Sequence, residues 1–534
     1  MTEDPLSDTR AAAERGDARA QFSLGARYER GEGVAQDYAE ALNWYRKAAD
    51  QGDAEAQYYL GYLYAGGLGV AQDDTEAAAW MRKAASQGHA KAQYNIGVSY
   101  ETGYGVAQDD VEAVRWYRKA ADQGDAAAQC NLGGVYDAGR GVAQDDAEAF
   151  HWYRLAAEQG DSYAQFNLGL MYWKGQGVEQ DDVQAANWDR KAAEQGDADA
   201  QYNLGQMYED GCGVAQDDVE AAAWYRKAAD QGEASAQTCL GHMYGDGRGV
   251  VQDYAESLAW LRKAVDQGFA AAQTSLGRMY AEGLGVAQDY AEAFNWYCKA
   301  AEQDEVKAQF NLGVMYERGQ SVMQDDAEAV RWYRKAADQG DAHAQYNLGV
   351  MCEDGRGVER DDAQAAAWYR KAAEQGDADA ERNLGLMYEK GRSVAQDDAE
   401  AFRWFHKAAD QGHADAQNDL GVAYREGRGI TRDFAQAVAW YRKAAEQGQP
   451  FAQCNLGMMY EEGEGVVQDD AQAVNWYGKA AEQGNAAAQY NLGVMYENGR
   501  GVAQDGVQAV AWYSKAAEQG DADAEEALRR IERR

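Results

Sequence analysis

Fourteen tryptophans, Trp44, Trp80, Trp116, Trp152, Trp188, Trp224, Trp260, Trp296, Trp332, Trp368, Trp404, Trp440, Trp476 and Trp512, fall 36 residues apart without a single insertion or deletion, and of 15 in the chain only Trp173 stands outside the series. A strict period of this length is the mark of stacked repeats, in which each unit buries its apolar face against its neighbours. With 59 Gly and only 2 Pro, the composition suits short helices joined by Gly turns rather than β structure.

One unit, Ala20 to Glu55, shows what each repeat specifies. Ala20, Leu24 and Tyr28 recur at four-residue spacing and predict one stripe of a first helix, A. Gly31 stops that helix, since a residue just past a helix end favours the left-handed region. Asp37 with Glu40 forms a D-x-x-E capping box that opens a second helix, B. Ala41, Trp44, Tyr45, Ala48 and Ala49 then follow at the spacing of a buried helical face. Gly52 ends helix B and Asp53 caps the next helix A. The Gly25 and Gly31 positions are Gly in all fourteen units. The first is explained if two helices approach too closely there for a Cβ. Where Gly52 has its counterpart in Asp304, the substitute tolerates left-handed geometry, and Pro450 falls in a first helical turn, where its missing N–H costs nothing.

The expected fold class is therefore all-α, an α-solenoid of antiparallel helix pairs. Residues 20–523 form the repeats, residues 1–19 a capping half-helix with Asp8 at the Trp position, and residues 524–534 a closing helix in which Arg529 replaces the Gly. Polar end units are what an array needs for solubility, so the array is expected to be complete.

The segment AQYNLGVMYENGRGVAQDGVQAVAWYSKAAEQGDADA, Ala488 to Ala524, resembles a Sel1-like repeat, a relative of the tetratricopeptide repeat. The matching features are A-x-x-x-L-G-x-x-Y, then G-x-G-V, then A-x-x-W-Y-x-K-A-A-x-Q-G. The resemblance covers residues 20–523 and implies a right-handed superhelix with helix A lining the concave side. It also implies the family's usual work, as adaptors that assemble other proteins. Some cysteine-rich relatives are secreted with one disulfide per repeat, a pattern this chain lacks.

A net charge of −39 opposes nucleic acid, whose recognition needs clustered Lys and Arg, and opposes docking on anionic lipid. It favours basic protein or peptide partners and keeps a long monomer soluble. No signal peptide or apolar run of membrane-spanning length is visible. The six cysteines, Cys130, Cys212, Cys239, Cys298, Cys352 and Cys454, show no recurring pair spacing, so a reducing, cytoplasmic setting is expected unless a leader has been removed.

On helix A the positions of Ala20, Gln21, Leu24, Gly25, Arg27 and Tyr28 form one sector, and the Met stripe at the Arg27 position (Met171 to Met495) reads as core. The opposite sector holds the positions of Phe22, Ser23, Ala26, Glu29 and Arg30, and these vary most. The Ser23 position is Asn in nine units, among them Asn95, Asn131, Asn167, Asn203, Asn311 and Asn347. Since an amide both donates and accepts, such a ladder can hold an extended peptide backbone. Beside it stand Tyr58, Tyr94, Phe166, Tyr202, Phe310 and Tyr346, with Tyr62 and Trp173 on the same sector. Aromatics flanked by hydrogen-bonding groups are the usual make-up of a binding hot spot. The competing reading is structural: Asn bonding its own or an adjacent helix, and aromatics packing on the preceding helix B. The pattern lapses at Thr238 and Cys239, at Thr274 and Ser275, at Arg382, and at Asn418 with Asp419.

No enzyme signature emerges. The six His are scattered, there is no H-E-x-x-H or C-x-x-C, and the G-x-G turns lack a Walker lysine or a preceding strand. No catalytic residue, metal site or cofactor is expected. The favoured function is a scaffold that binds a protein or peptide in the groove lined by helix A. The alternative is a passive structural spacer, with a hydrolase as a distant third.

Overall fold

The computed structural model describes residues 7–533. Among them lie 30 α-helices and no strand. After a first helix, Ser7–Glu14, helix A and helix B alternate from Ala18–Arg30 and Tyr38–Asp50 to Ala486–Asn498 and Gly506–Glu518, and Ala522–Glu532 closes the series. The chain forms two compact units, Met1–Ala272 and Gln273–Arg534. Within each, helices pack on their immediate neighbours in sequence, as an α-solenoid requires.

The helix boundaries follow side-chain chemistry. Asp17 accepts from the N–H of Ala20, and Asp37 from those of Ala39 and Glu40. Gly31 stands at φ 72°, and Asp304 adopts φ 61° where most repeats place Gly. Pro450 opens its helix behind the cap of Gln449. The expected capping box is only half made. The Asp37 N–H bonds the Tyr28 carbonyl at 2.9 Å, not the Glu40 side chain, and Asp73, Asp109, Asp217 and Asp505 do the same to Tyr64, Tyr100, Tyr208 and Tyr496. This bond carries the chain from the last turn of helix A straight into helix B. The corresponding glutamates are freed for other work: Glu76 and Glu148 accept from the indole N–H of Trp80 and Trp152.

The deepest side chain of each unit is the residue after the periodic tryptophan. Tyr45, Tyr117, Tyr225, Tyr333, Tyr369, Tyr477 and Tyr513 are fully buried. Each lies against a glycine of helix A. A Cβ on Gly313 would come to 2.5 Å from the ring of Tyr333, and one on Gly97 to 2.7 Å from Tyr117. The Met stripe, from Met171 to Met495, is buried beside them, together with the Leu24 series. Each such leucine is worth about 1.5–3 kcal/mol on burial.

The tryptophans themselves differ from the expected buried face. Trp80, Trp152, Trp224, Trp260 and Trp440 are buried, and the others only half so. Their position is a seam between repeats. Trp116 packs on the core around Met81 and Ile96, and Trp476 on that around Tyr441 and Met459. The outer face of the indole is covered by the lysine three residues on, for example Lys227 at 3.4 Å from Trp224 and Lys335 at 4.2 Å from Trp332. Each such cation–π contact at an exposed site contributes about 0.5–1 kcal/mol. In the fourth repeat Leu155 takes the lysine's place.

A second seam is polar. The glutamine at the Gln21 position is buried, yet its donor and acceptor are both used. Gln57 donates to the Ala49 carbonyl of the preceding helix B at 3.1 Å and accepts from Gln87, at the end of its own repeat's helix B, at 2.8 Å. The pairs Gln93 with Gln123, Gln345 with Gln375 and Gln489 with Gln519 repeat the pattern. Only a side-chain amide completes this relay, because the link needs one donor and one acceptor on the same group. In one repeat Glu381 stands there and accepts from Gln411 at 2.7 Å. A carboxylate has no proton to offer the Ala373 carbonyl, and burial pushes its pKa upward, against the opposing pull of Lys407 and Gln411.

Two outcomes follow from this packing. Gly313→Ala should destabilise its repeat by about 1–3 kcal/mol through overpacking against Tyr333. Hydrogen exchange should locate the loss in Val306–Arg318 and Asp326–Asp338 rather than spread it over the chain. For Glu381, a raised folded pKa means that stability falls as pH rises from the ordinary carboxylate range through the folded value. Glu381→Gln should abolish that fall, raising Tm at neutral pH and leaving it unchanged near about pH 4, where both states are protonated. Thermal unfolding at the two pH values measures it.

Candidate protein-binding surface

The sector of helix A that faces away from the Leu24 stripe carries the sequence's candidate residues, and the structure gives them three kinds of surroundings. Most of the aromatics are half-buried on the Tyr of their own repeat's helix B, not on the preceding helix B. Tyr94 meets Tyr117 at 5.9 Å between ring centres, Tyr202 meets Tyr225 at 5.8 Å, Phe310 meets Tyr333 at 5.8 Å and Tyr346 meets Tyr369 at 5.9 Å. The reason is geometric: Gly at the helix crossing lets the helix B ring pass through and surface beside the next position of helix A. Phe166 has no such ring to meet, since Asp189 occupies the Tyr position of its repeat, and it packs instead against the core cluster that includes Ala192, Ala193, Ala200 and Leu204.

The asparagines are partly engaged within the scaffold. Several amides reach back toward the aromatics of the preceding repeat: Asn95 toward the Tyr58 phenol, Asn131 toward those of Tyr94 and Tyr117, and Asn347 toward that of Tyr333. Asn203 reaches toward Asp189 in the same way. Asn167 turns to the Tyr163 carbonyl of its own helix at 2.8 Å. Asn311 is half-buried like the rest. Burial raises the phenols of Tyr58, Tyr94, Tyr117 and Tyr333 above the ordinary tyrosine range. The ladder is thus a row of half-buried amides and aromatics, several of them engaged with one another.

The third setting is open. Tyr62 and Trp173 are 48% and 51% exposed, a large apolar area for side chains with a helix behind them. Tyr62 borders a hollow of about 540 Å³ lined by Glu29, Glu55, Tyr58, Tyr59 and His89. Tyr58 stacks on the His89 ring at 4.6 Å and meets Tyr59 edge-on at 5.3 Å. His89 is itself fixed, accepting from the Ala92 N–H at 3.1 Å and lying 3.4 Å from Glu55. The result is an aromatic floor whose walls carry Glu29, Glu55 and one cation, Lys91.

The lapses in the aromatic pattern are filled by scaffold bonds. Arg382 pairs with Asp419 at 2.8 Å across adjacent helices A, Asn455 donates to Asn418 at 2.9 Å, and Thr274 donates to Glu305 at 3.0 Å. No group of three His, Cys, Asp or Glu among the described residues is arranged to hold a metal ion. The glutamine relay, the lysine–tryptophan seam and Asp189 escaped the reading of the sequence as an average repeat. Their signal was present in the alignment of the repeats with one another, as a Gln in thirteen of fourteen repeats, a Lys three residues after thirteen of the fourteen periodic Trp, and one Asp in a column of large side chains.

Fourteen windows of 36 residues, from 18–53 to 486–521, match the model of the Sel1 repeat. The chain belongs to the Sel1 repeat family, whose members are generally protein-interaction scaffolds and typically non-catalytic. It is similar, at 39% identity over 84% of its length and 97% of the other chain, to a protective antigen of uropathogenic Escherichia coli strains that displays an SLR fold, with a TM-score of 0.62. It is also similar to a Sel1 repeat protein from Oxalobacter formigenes, at 39% identity over 58% of this chain and 89% of that one, TM-score 0.45. No curated protein matches it. Among the described residues no helix is long and apolar enough to cross a membrane.

The six cysteines are all free. Burial pushes the thiols of Cys130, Cys239, Cys298, Cys352 and Cys454 above their ordinary range. Cys212, in the turn after its helix A, is only half-buried. A thiolate is the reacting species, so a thiol reagent at neutral pH should modify Cys212 well ahead of the other five, and all six once the protein is denatured. Peptide mapping after brief alkylation measures the order.

Proposed function

We propose that this protein is an adaptor that binds a protein or peptide on the outward sector of helix A, with the hollow at Tyr58 and Tyr62 as a principal contact. The observation that carries this reading is the exposed Tyr62 beside a fixed aromatic floor, flanked by Glu29 and Glu55. Rigid aromatics with polar neighbours bury large area at small entropic cost, which is how a few residues come to dominate an interface. Glu29 and Glu55 outnumber Lys91 on the walls of the hollow, and with the net charge of −39 they favour a basic segment on the partner. A passive spacer has no use for a large exposed ring held in a hollow. The outward amides of Asn95, Asn131, Asn203 and Asn347 supply acceptors along the same sector for an extended backbone. Free cysteines are in keeping with a reducing, cytoplasmic setting.

Tyr62→Ala removes exposed ring area and no core contact, so its helical content and Tm should match the wild type. Capture of the principal partner, identified first by pull-down with the wild-type chain, should weaken roughly thirtyfold, the loss of one hot-spot residue. Unchanged affinity in surface plasmon resonance would remove this hollow from the interface.

A further inference from the structure

The fifth repeat breaks the pattern of the core twice, at two positions that are hydrogen-bonded to each other in seven of the repeats. Where Tyr45, Tyr117, Tyr225, Tyr333, Tyr369, Tyr477 and Tyr513 each donate a hydroxyl to a glutamate of helix A, such as Glu209 to Tyr225 or Glu353 to Tyr369 at 2.8 Å, this repeat has neither partner. Asp189 stands for the tyrosine and Trp173 for the glutamate. An aspartate is some four ring atoms shorter than a tyrosine, and Trp173 swings out to 51% exposure instead of filling the space. What is left is a cavity of about 190 Å³ between helix A Ser162–Lys174, helix B Asp182–Glu194 and the next helix A, Ala198–Asp210.

The chemistry of its walls is one-sided. Asp189 is 3% exposed, and its Oδ1 is buried without a hydrogen-bond partner. Leu170 and Met207 line the shaft, Trp173 the rim, and Asp210 stands at the mouth. No lysine or arginine lines it. A buried carboxyl oxygen with no donor carries a desolvation cost that a ligand can relieve. The ligand has to bring a donor and a positive charge to the floor, an aliphatic stem for the shaft, and a form that tolerates an indole face.

We propose that this cavity is a pocket for an alkyl cation, taking the ammonium or guanidinium end of a lysine or arginine side chain presented by a protein partner. The inference rests on the adaptor reading for its source of the cation, while the pocket itself is tested without it. Burial, reinforced by Asp197 at the cap of the neighbouring helix and opposed by the Asn203 amide, pushes the empty Asp189 to about 8. Asp210 and the Cys212 thiol are the other titratable groups that line the space, and helix A of the fifth repeat contributes none. At neutral pH the empty site therefore holds a protonated carboxyl. Binding a cation converts it to carboxylate, and the proton passes to the buffer.

The test is calorimetry on the full chain with n-butylammonium chloride, N-acetyl-lysine methylamide and, as the uncharged control, n-butanol. Expected is saturable one-site binding of both cations and none of butanol. Proton release at pH 7, read from titrations in buffers of different ionisation enthalpy, should accompany it. Affinity should climb about tenfold per pH unit up to about 8 and level off above, since only the ionised carboxyl pairs with the cation. Asp189→Asn should weaken binding about thirtyfold or more, and Asp189→Tyr, which restores the ring of the other repeats, should abolish it while keeping the fold. Bound cation should also shield Cys212 from alkylation. The proposal is overturned if wild type shows no saturable binding of butylammonium at pH 9, if Asp189→Asn binds as well as wild type, if butanol competes equally, or if N-acetyl-lysine methylamide is excluded. Tyr62→Ala should leave butylammonium binding intact, so failure of the hollow at Tyr62 and failure of this pocket are read separately.

Discussion

A ring lying on bare backbone holds each repeat together. Where helix A crosses helix B, Gly25 and its thirteen counterparts carry no Cβ, and the Tyr45-series side chain occupies that volume. The crossing distance, the burial of the neighbouring leucine stripe and the reach of the phenol to a glutamate of helix A all depend on this one contact. Interiors are packed like crystals, so a single extra methyl group here has nowhere to go. The position is Gly in every repeat even where its partner is Met81, Leu261, Phe405 or Asp189, which shows that backbone proximity, rather than any one ring, is the constraint.

Two seams then join repeat to repeat. One is the tryptophan, half-buried on the preceding core and roofed by lysine. The other is the glutamine relay, which threads a buried amide between two helices B and uses both of its ends. The relay gives direction and register to a stack whose apolar contacts alone are forgiving, since a glutamine misplaced by one turn leaves a donor and an acceptor unpaired. All of these contacts are local in sequence, so a fault in one repeat is felt by its neighbours and not by the whole array.

The same constraint shapes the surface. Because the buried ring lies beside helix A, most outward aromatics rest on it, and Asn131 and Asn347 reach its phenol. The outward sector of helix A is thus a continuation of the core, stiffened from behind. That continuity is broken in two places: at Tyr62, whose repeat has Met81 in place of the helix B ring, and at Asp189, where the ring is also missing and a carboxyl lies beside the space.

The sequence by itself determined the repeat length, the alternation of helices, their caps and the family, because glycine, aspartate and apolar spacing act within a few residues of one another. It also placed the Tyr58–Tyr62 and Asn95 sector on one face of helix A, since helical periodicity is a local property. Only the tertiary structure decided that the Tyr45 position lies deeper than the Trp44 position, that Asp37 bonds the Tyr28 carbonyl rather than Glu40, and that Tyr94 and Asn131 share a phenol with Tyr117. These depend on how closely two helices cross and on which group of a neighbouring repeat lies within hydrogen-bond reach. Asp189 shows the division most clearly. In the sequence it is one more acidic residue among 90. Its burial, its unpaired oxygen and the cavity above it arise because the packing around it was built for a ring that this repeat does not have.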